Sequence, residues 1–137
     1  MIRPAAALAA LVVAAAAAGC GGTGAAAPGS ANVSNGKQLF IANCGACHTL
    51  EEAGTKGTIG PNLDYAYAGD RLVGMQDSSF EAFVREQIAS PDPRGKMPPN
   101  VVKGSDAQDV AAYVASVAGL KLAGQEQRQN DITTSPE

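Results

Sequence analysis

Residues 44–48 read CGACH, a C-x-x-C-H motif that constrains the fold and chemistry of the chain more than any other segment. Two cysteine thiols at this spacing can each form a thioether with one of the two vinyl groups of a haem. The histidine that follows is then held below the porphyrin plane with a ring nitrogen facing the iron. The motif therefore predicts one covalent haem c, attached through Cys44 and Cys47, with His48 as an iron ligand.

Three other roles for these residues fit the sequence less well. A thioredoxin-type dithiol requires a βαβ setting, and no strand pattern surrounds residue 44. A structural zinc site takes about four Cys or His ligands, whereas the chain after residue 20 offers only Cys44, Cys47 and His48. A Cys44–Cys47 disulfide would close a loop too short to add much stability. The motif therefore favours haem.

The N-terminal segment has the pattern of an export signal. Arg3 precedes an almost wholly apolar run over residues 5–18, as in a secretory signal peptide. This run is shorter than the ~20 residues that span a bilayer comfortably, which disfavours a retained transmembrane helix. We therefore predict that residues 1–19 form a signal peptide and that the protein is exported.

The end of this signal resembles that of bacterial lipoproteins. Ala17-Ala18-Gly19 precedes Cys20, and in lipoproteins the matching cysteine becomes the lipid-modified first residue of the mature chain. Ordinary signal-peptidase cleavage near Ala27 is the alternative. Residues 20–31, rich in Gly and Ala, then predict a flexible linker. We expect the protein to be lipid-anchored at the outer face of a bacterial cytoplasmic membrane.

Composition is consistent with one small domain that has a cofactor in its core. The chain has 137 residues, of which 4% are aromatic, so its side chains alone would form a thin core. A buried haem adds the missing apolar bulk. The formal net charge is −3, and it becomes −4 once Arg3 leaves with residues 1–19. Nucleic-acid binding is therefore not expected, because it requires a basic patch.

Helical periodicity and capping residues predict three helices in a domain over residues 32–122. Ser34 or Asn32 caps the first helix, which runs to about residue 43. Ser78 with Glu81, and Ser105 with Gln108, form capping boxes that open two more helices, which end near residue 89 and at Gly119. Residues 50–72 show no clear periodicity and are predicted to be mostly loop. Residues 123–137 are predicted to be a disordered polar tail.

The order of the motifs along the chain resembles that of class I c-type cytochromes, specifically the small bacterial monohaem kind. The resemblance covers roughly residues 32–120, and its matching pieces are Gly36 and Phe40, CGACH, Gly60-Pro61-Asn62-Leu63, Met97-Pro98-Pro99, and Tyr113. It implies an all-α fold whose helices wrap around one haem. It also implies a contact between the first and last helices, in which Gly36 and Phe40 meet Tyr113.

The resemblance also implies a set of residues around the haem. The carbonyl of Pro61 accepts a hydrogen bond from His48, and Leu63 touches the haem face. Met97 is the sixth iron ligand. Elimination agrees, since His48 is the only histidine, Met1 leaves with the signal peptide and Met75 precedes a core helix that must still wrap the haem. Met97 follows that helix, and the prolines after it stiffen the backbone. Candidates for bonding the haem propionates are Tyr65, Tyr67 and Arg71.

The implied function is electron transfer, without enzymatic activity or a small-molecule substrate. Ligation by His and Met favours reduced iron and leaves no open site. The segment from Ile88 to Met97-Pro98 resembles cytochrome domains associated with terminal oxidases, so a respiratory redox protein is the expected partner. The haem subunit of a periplasmic dehydrogenase, a peroxidase and a haem-based redox or gas sensor are the alternatives. Loop cations are candidate partner contacts, namely Lys56, Arg94, Lys96 and Lys103.

Overall fold

A computed structural model describes residues 31–134 of the protein, and the side chains of residues 31–130. The described chain forms five helices and one short antiparallel hairpin: α1 Val33–Asn43, β1 Thr49–Leu50, β2 Thr55–Lys56, α2 Leu63–Leu72, α3 Asp77–Ala89, α4 Gly104–Val117 and α5 Leu120–Thr134. The mainly helical architecture confirms the predicted all-α class. The predicted signal peptide, Cys20 and nearly all of the predicted linker lie outside the described residues.

Helix α1 packs against α4 at a very close approach. Asn32 caps α1 through a side-chain oxygen that accepts from Asn35 N, so the earlier of the two predicted caps is the one used. A Cβ atom at Gly36 would lie 2.0 Å from the carbonyl oxygen of Asp109 on α4. One turn further on, the rings of Phe40 and Tyr113 pack with their centroids 5.9 Å apart. The predicted contact between the first helix and the helix over residues 104–117 is confirmed.

Helix α3 also packs on α4, through a buried stripe of Phe80, Val84 and Ile88. Both predicted capping boxes are wrong, because α3 and α4 begin two residues earlier than predicted. Their N-cap residues are Gln76 and Lys103, and neither makes a side-chain capping bond. The two serines therefore lie inside the first turn, where they cannot act as caps.

Helix α2 occupies part of the segment that we predicted to be loop. The prediction for residues 63–72 is wrong because Asn62 starts a helix there. Its side-chain oxygen accepts from the backbone N–H groups of Asp64 and Tyr65, which satisfies two of the four unpaired donors of a helix N-terminus. The remainder of the segment holds the hairpin and its flanking turns.

Helix α5 continues past the predicted end of the domain and packs on α2. Gly119, with φ +76°, turns the chain out of α4, as its predicted stop position requires. The chain then re-enters a helix, so the prediction of a disordered tail is wrong for residues 123–134. The helix forms there because Ala123 is buried and because Lys121 forms an ion pair with Glu51. No helix within residues 31–134 is long and apolar enough to cross a membrane.

Candidate functional site

The two motif cysteines lie in a tight turn where α1 ends. Cys44 is the C-cap residue of α1, and its carbonyl oxygen accepts from the backbone N–H groups of Cys47 and His48 at 3.0 and 2.9 Å. Both thiols are unpaired. Burial, and then the neighbouring Cys47, raise the pKa of the Cys44 thiol to about 11. A thiolate-based redox role is therefore disfavoured, since it requires the ionised sulfur.

Two glycines outside the motif press directly against it. A Cβ atom at Gly57 would lie 2.4 Å from the carbonyl carbon of Cys47, and one at Gly60 would lie 2.5 Å from Cε1 of His48. Neither position has room for a side chain. We predicted no role for Gly57, and only its place among several loop glycines near the motif marks it in the sequence.

The His48 ring makes the hydrogen bond that the resemblance implies. Its Nδ1 lies 2.9 Å from the carbonyl oxygen of Pro61. Because a carbonyl oxygen only accepts, Nδ1 must carry the proton, and Nε2 retains a lone pair that can bind a metal. Pro61 itself is held by the chain on both sides, since Gly60 N donates to Cys47 O at 2.8 Å and Asn62 caps α2.

Met97 and Leu63 both lie half-buried against the hydrophobic core, whereas Met75 is 40% exposed. Met97 sits in the loop that follows α3. Asn100, at φ +58°, closes this loop by donating its backbone N–H to the carbonyl oxygen of Ile88 at 2.7 Å. The loop is therefore fixed to the end of α3, as a ligand-bearing segment requires.

The three candidates for propionate contacts have different surroundings. Tyr65 is 72% exposed, and the Tyr67 ring packs edge-on against Phe80 and Phe83. The Arg71 guanidinium already donates to three oxygens of the chain, which leaves fewer of its five N–H groups for a propionate. Its nitrogens donate to Ala118 O, Ala115 O and Asp77 Oδ1, and its carbon lies 4.1 Å from the centre of the Phe80 ring.

A polar network fastens the hairpin to α1 and α4. Glu52 accepts from Lys37 Nζ at 2.8 Å and from the hydroxyl of Tyr113. The Lys37 bond, followed by the Tyr113 bond, lowers the pKa of Glu52, whereas burial and this carboxylate raise the pKa of Tyr113. Sequence reasoning missed Glu52 because its partners are 15 and 61 residues away.

The site thus holds the two thiols beside a His48 ring that has one nitrogen positioned and the other available. Met97 packs from a separate loop against the core that includes Cys44. Within residues 31–134, no group of three or more His, Cys, Asp or Glu side chains could hold a metal ion, which leaves the zinc alternative without support there. The two unpaired thiols and the single oriented imidazole fit covalent haem.

Comparison with protein families agrees with this geometry. The family model described as Cytochrome c matches residues 33–118, more than half of the chain. The match begins with α1, includes the cysteine motif, and ends directly after α4. The chain therefore belongs to the cytochrome c family, whose members bind haem c covalently through cysteines and carry electrons between redox proteins.

Proposed function

We propose that the protein is a membrane-anchored monohaem electron carrier of a bacterial respiratory chain, with His48 and Met97 as the two iron ligands. The observation that carries the ligand assignment is the 2.9 Å hydrogen bond between His48 Nδ1 and the Pro61 carbonyl. This bond fixes both the tautomer and the ring orientation, so that Nε2 is the nitrogen available to the iron. When bound, the haem supplies a one-electron redox couple.

Met97 is proposed as the second ligand in preference to Met75, whose side chain is 40% exposed. The Met97 side chain packs on the core, and its loop is closed by the bond from Asn100 N to Ile88 O. The prolines at 98 and 99 restrict the backbone further. A thioether ligand favours reduced iron, and a rigid ligand loop limits rearrangement between oxidation states.

The partner is proposed to be a respiratory redox protein, with a terminal oxidase first and a periplasmic dehydrogenase complex second. Support comes from the sequence resemblance of residues 88–98 to oxidase-associated cytochrome domains. Lys96 and Lys103 are exposed on loops, where partner-binding residues commonly lie, and Lys56 is exposed at the end of the hairpin strand β2. Arg94 is also exposed, but its guanidinium pairs with the carboxylate of Asp92, which reduces its availability to a partner.

The ligand assignment is tested by comparing Met97→Leu with Met75→Leu in the purified, haem-loaded protein. Met97→Leu is expected to abolish the long-wavelength iron–sulfur absorption band. It should also lower the reduction potential, since a ligand that favours reduced iron is lost, and allow the reduced protein to bind carbon monoxide. Met75→Leu is the matched control and should change none of these properties, because Met75 is exposed outside the core.

The reverse result, with Met75→Leu losing the band, would assign the ligand to Met75 and leave covalent haem binding intact. Ready carbon monoxide binding by the unmodified reduced protein would contradict a six-coordinate carrier and favour a haem-based sensor.

A further inference from the structure

Two short segments, one with Cys47 and His48 and the other with Gly60 and Pro61, run side by side at the site. The hydrogen bonds between them join residues at a constant separation along the chain. Gly60 N donates to the carbonyl oxygen of Cys47 at 2.8 Å, and His48 Nδ1 donates to the carbonyl oxygen of Pro61 at 2.9 Å. Both bonds join residues that are 13 positions apart. The second bond orients the imidazole, so its geometry depends on what keeps the two segments in this register.

A third hydrogen bond with the same separation of 13 residues is accepted by a buried carboxylate. Glu51 N donates to Oδ2 of Asp64 at 2.8 Å. Asp64 lies in the first turn of α2 and is 8% exposed. Its own backbone N–H donates to the side chain of Asn62 at 2.9 Å, so the carboxylate is fixed to the helix start. Its other oxygen faces Gly119 N at 3.5 Å, at the turn into α5.

Asp64 therefore holds the far end of the segment that carries Pro61. Pro61 is exposed and has no N–H to donate. The connection between the two segments is held by the β1–β2 pairing and by the Thr49 hydroxyl, which donates to Gly57 O at 2.9 Å, but these bonds all lie before Gly60. Without the Asp64 bond, the carbonyl of Pro61 would be held on one side by Gly60 and on the other only by the cap of α2.

We propose that Asp64 is a positioning residue for the iron site: by accepting from Glu51 N, it keeps the Pro61 carbonyl against His48 Nδ1. This role rests on the proposed function, in which His48 binds the iron. A hydrogen bond from the free ring nitrogen makes the imidazole a stronger donor, which favours ferric iron. Weakening of the Pro61 bond should therefore raise the reduction potential.

The test compares Asp64→Ala with Asp64→Asn in the haem-loaded protein. Both variants remove the negative charge, but asparagine retains an oxygen that can accept from Glu51 N. In the reduced protein, NMR should show the His48 Nδ1 proton exchanging with water faster in Asp64→Ala, on the order of tenfold, as expected when a hydrogen bond to a carboxylate is lost. Asp64→Asn should stay close to the unmodified protein, and its potential should lie below that of Asp64→Ala.

Asp109→Ala is the control for a general loss of stability. Asp109 is as buried as Asp64, at 9% exposed, and it also accepts from two groups at 2.8 Å, Asn32 N and Asn35 Nδ2. These bonds join α4 to the start of α1 and do not reach the His48 segment. The variant should unfold more easily while His48 proton exchange is unchanged.

Asp64→Glu replaces Asp64→Ala in the test if the alanine variant does not fold. It keeps the charge but displaces the carboxylate oxygen that accepts from Glu51 N. It too should show faster His48 proton exchange and a raised potential. The positioning role would be overturned if the His48 Nδ1 proton exchanged with water in Asp64→Ala at the same rate as in the native protein. If the alanine variant does not fold, the same result in Asp64→Glu would overturn it. Such a variant would still show the Met97-dependent absorption band, so this failure is distinct from failure of the proposed iron ligation.

Discussion

At the scale of single residues, the site depends on positions that exclude a side chain. Gly60 lies directly against the His48 ring, and Gly36 lies directly against the backbone of α4. In both cases the atom that a Cβ would meet belongs to a ring or a main chain that cannot simply rotate away. These glycines therefore fix how closely the chain approaches the imidazole and how closely α1 approaches α4.

Gly36→Ala is expected to destabilise the haem-loaded protein, and Gly69→Ala is its matched control. Both glycines lie inside helices, but a Cβ at Gly36 would lie 2.0 Å from Asp109 O, whereas one at Gly69 meets nothing within 4 Å. Overpacking typically costs ~1–3 kcal/mol. Replacing an exposed helical glycine by alanine should stabilise by roughly 0.5–1 kcal/mol. Urea unfolding followed by circular dichroism measures both changes, and equal midpoints for the two variants would contradict the close α1–α4 approach.

At the scale of elements, the sequence predicts the helices whose buried faces repeat regularly and fails where packing between distant segments decides. Residues 34–43 and 78–89 show apolar repeats, and both helices form. The helix α2 is short, and its start signal, Asn62 after Pro61, also fits a turn. The helix α5 buries few side chains and depends on contacts with α2 and Glu51, which no local pattern can reveal.

Within the site, residues that belong to a motif are predictable from the sequence, whereas residues positioned by distant contacts are not. His48 and Pro61 each belong to a motif, and the resemblance to c-type cytochromes implies the hydrogen bond between them. Asp64 and Arg71 carry none, and the backbone groups that they bond lie 13 to 55 residues away along the chain. An arginine is ordinarily exposed at the surface, yet the side chain of Arg71 is only 7% exposed.

Arg71→Met should weaken the junction between α2 and the end of α4. The methionine keeps the apolar stem over Phe80 but leaves the carbonyl oxygens of Ala115 and Ala118 without their donor. Hydrogen bonds to charged groups contribute ~1.5–3 kcal/mol each, so the free energy of unfolding should fall by at least ~2 kcal/mol. Arg94→Met is the control, since that side chain is 89% exposed and its loss should leave the unfolding midpoint unchanged. Similar midpoints for both variants would show that Arg71 does not hold this junction.

At the scale of the whole molecule, the described chain forms two packed groups of elements. Helices α1 and α3 pack on α4, while α2 packs on α5 and β1. The ring of Tyr67 on α2 meets Phe80 and Phe83 on α3. Among the described residues, the large side chains with almost no exposure are few: Tyr113, Phe40, Phe80, Leu50, Val110 and Val114. Because so small a core supplies little burial by itself, a covalent haem packed against it would add apolar area and help to stabilise the fold.

The proposed position of the molecule in the cell rests on its N-terminal segment. No described helix can span a bilayer, and the proposed anchoring rests on Ala17-Ala18-Gly19-Cys20. A buried acyl chain contributes ~0.8 kcal/mol per CH₂, and stable attachment takes more than one chain or signal. Lipid modification of Cys20 would therefore keep the haem domain close to membrane-bound redox partners.

Cys20→Ser tests this anchor, with Thr23→Ala as a control in the same segment. In the unmodified protein and in Thr23→Ala, mass spectrometry should find an N-terminal peptide that begins at Cys20 and carries acyl chains. The Cys20→Ser protein should carry none, because serine has no thiol to receive the lipid, while its haem spectrum stays normal since Cys44 and Cys47 are intact. In the protein of native sequence, an N-terminus that lies near Pro28 and carries no lipid would contradict lipidation. The electron carrier would then be soluble and would reach its partners by diffusion, which makes its docking rate more dependent on ionic strength than that of an anchored protein.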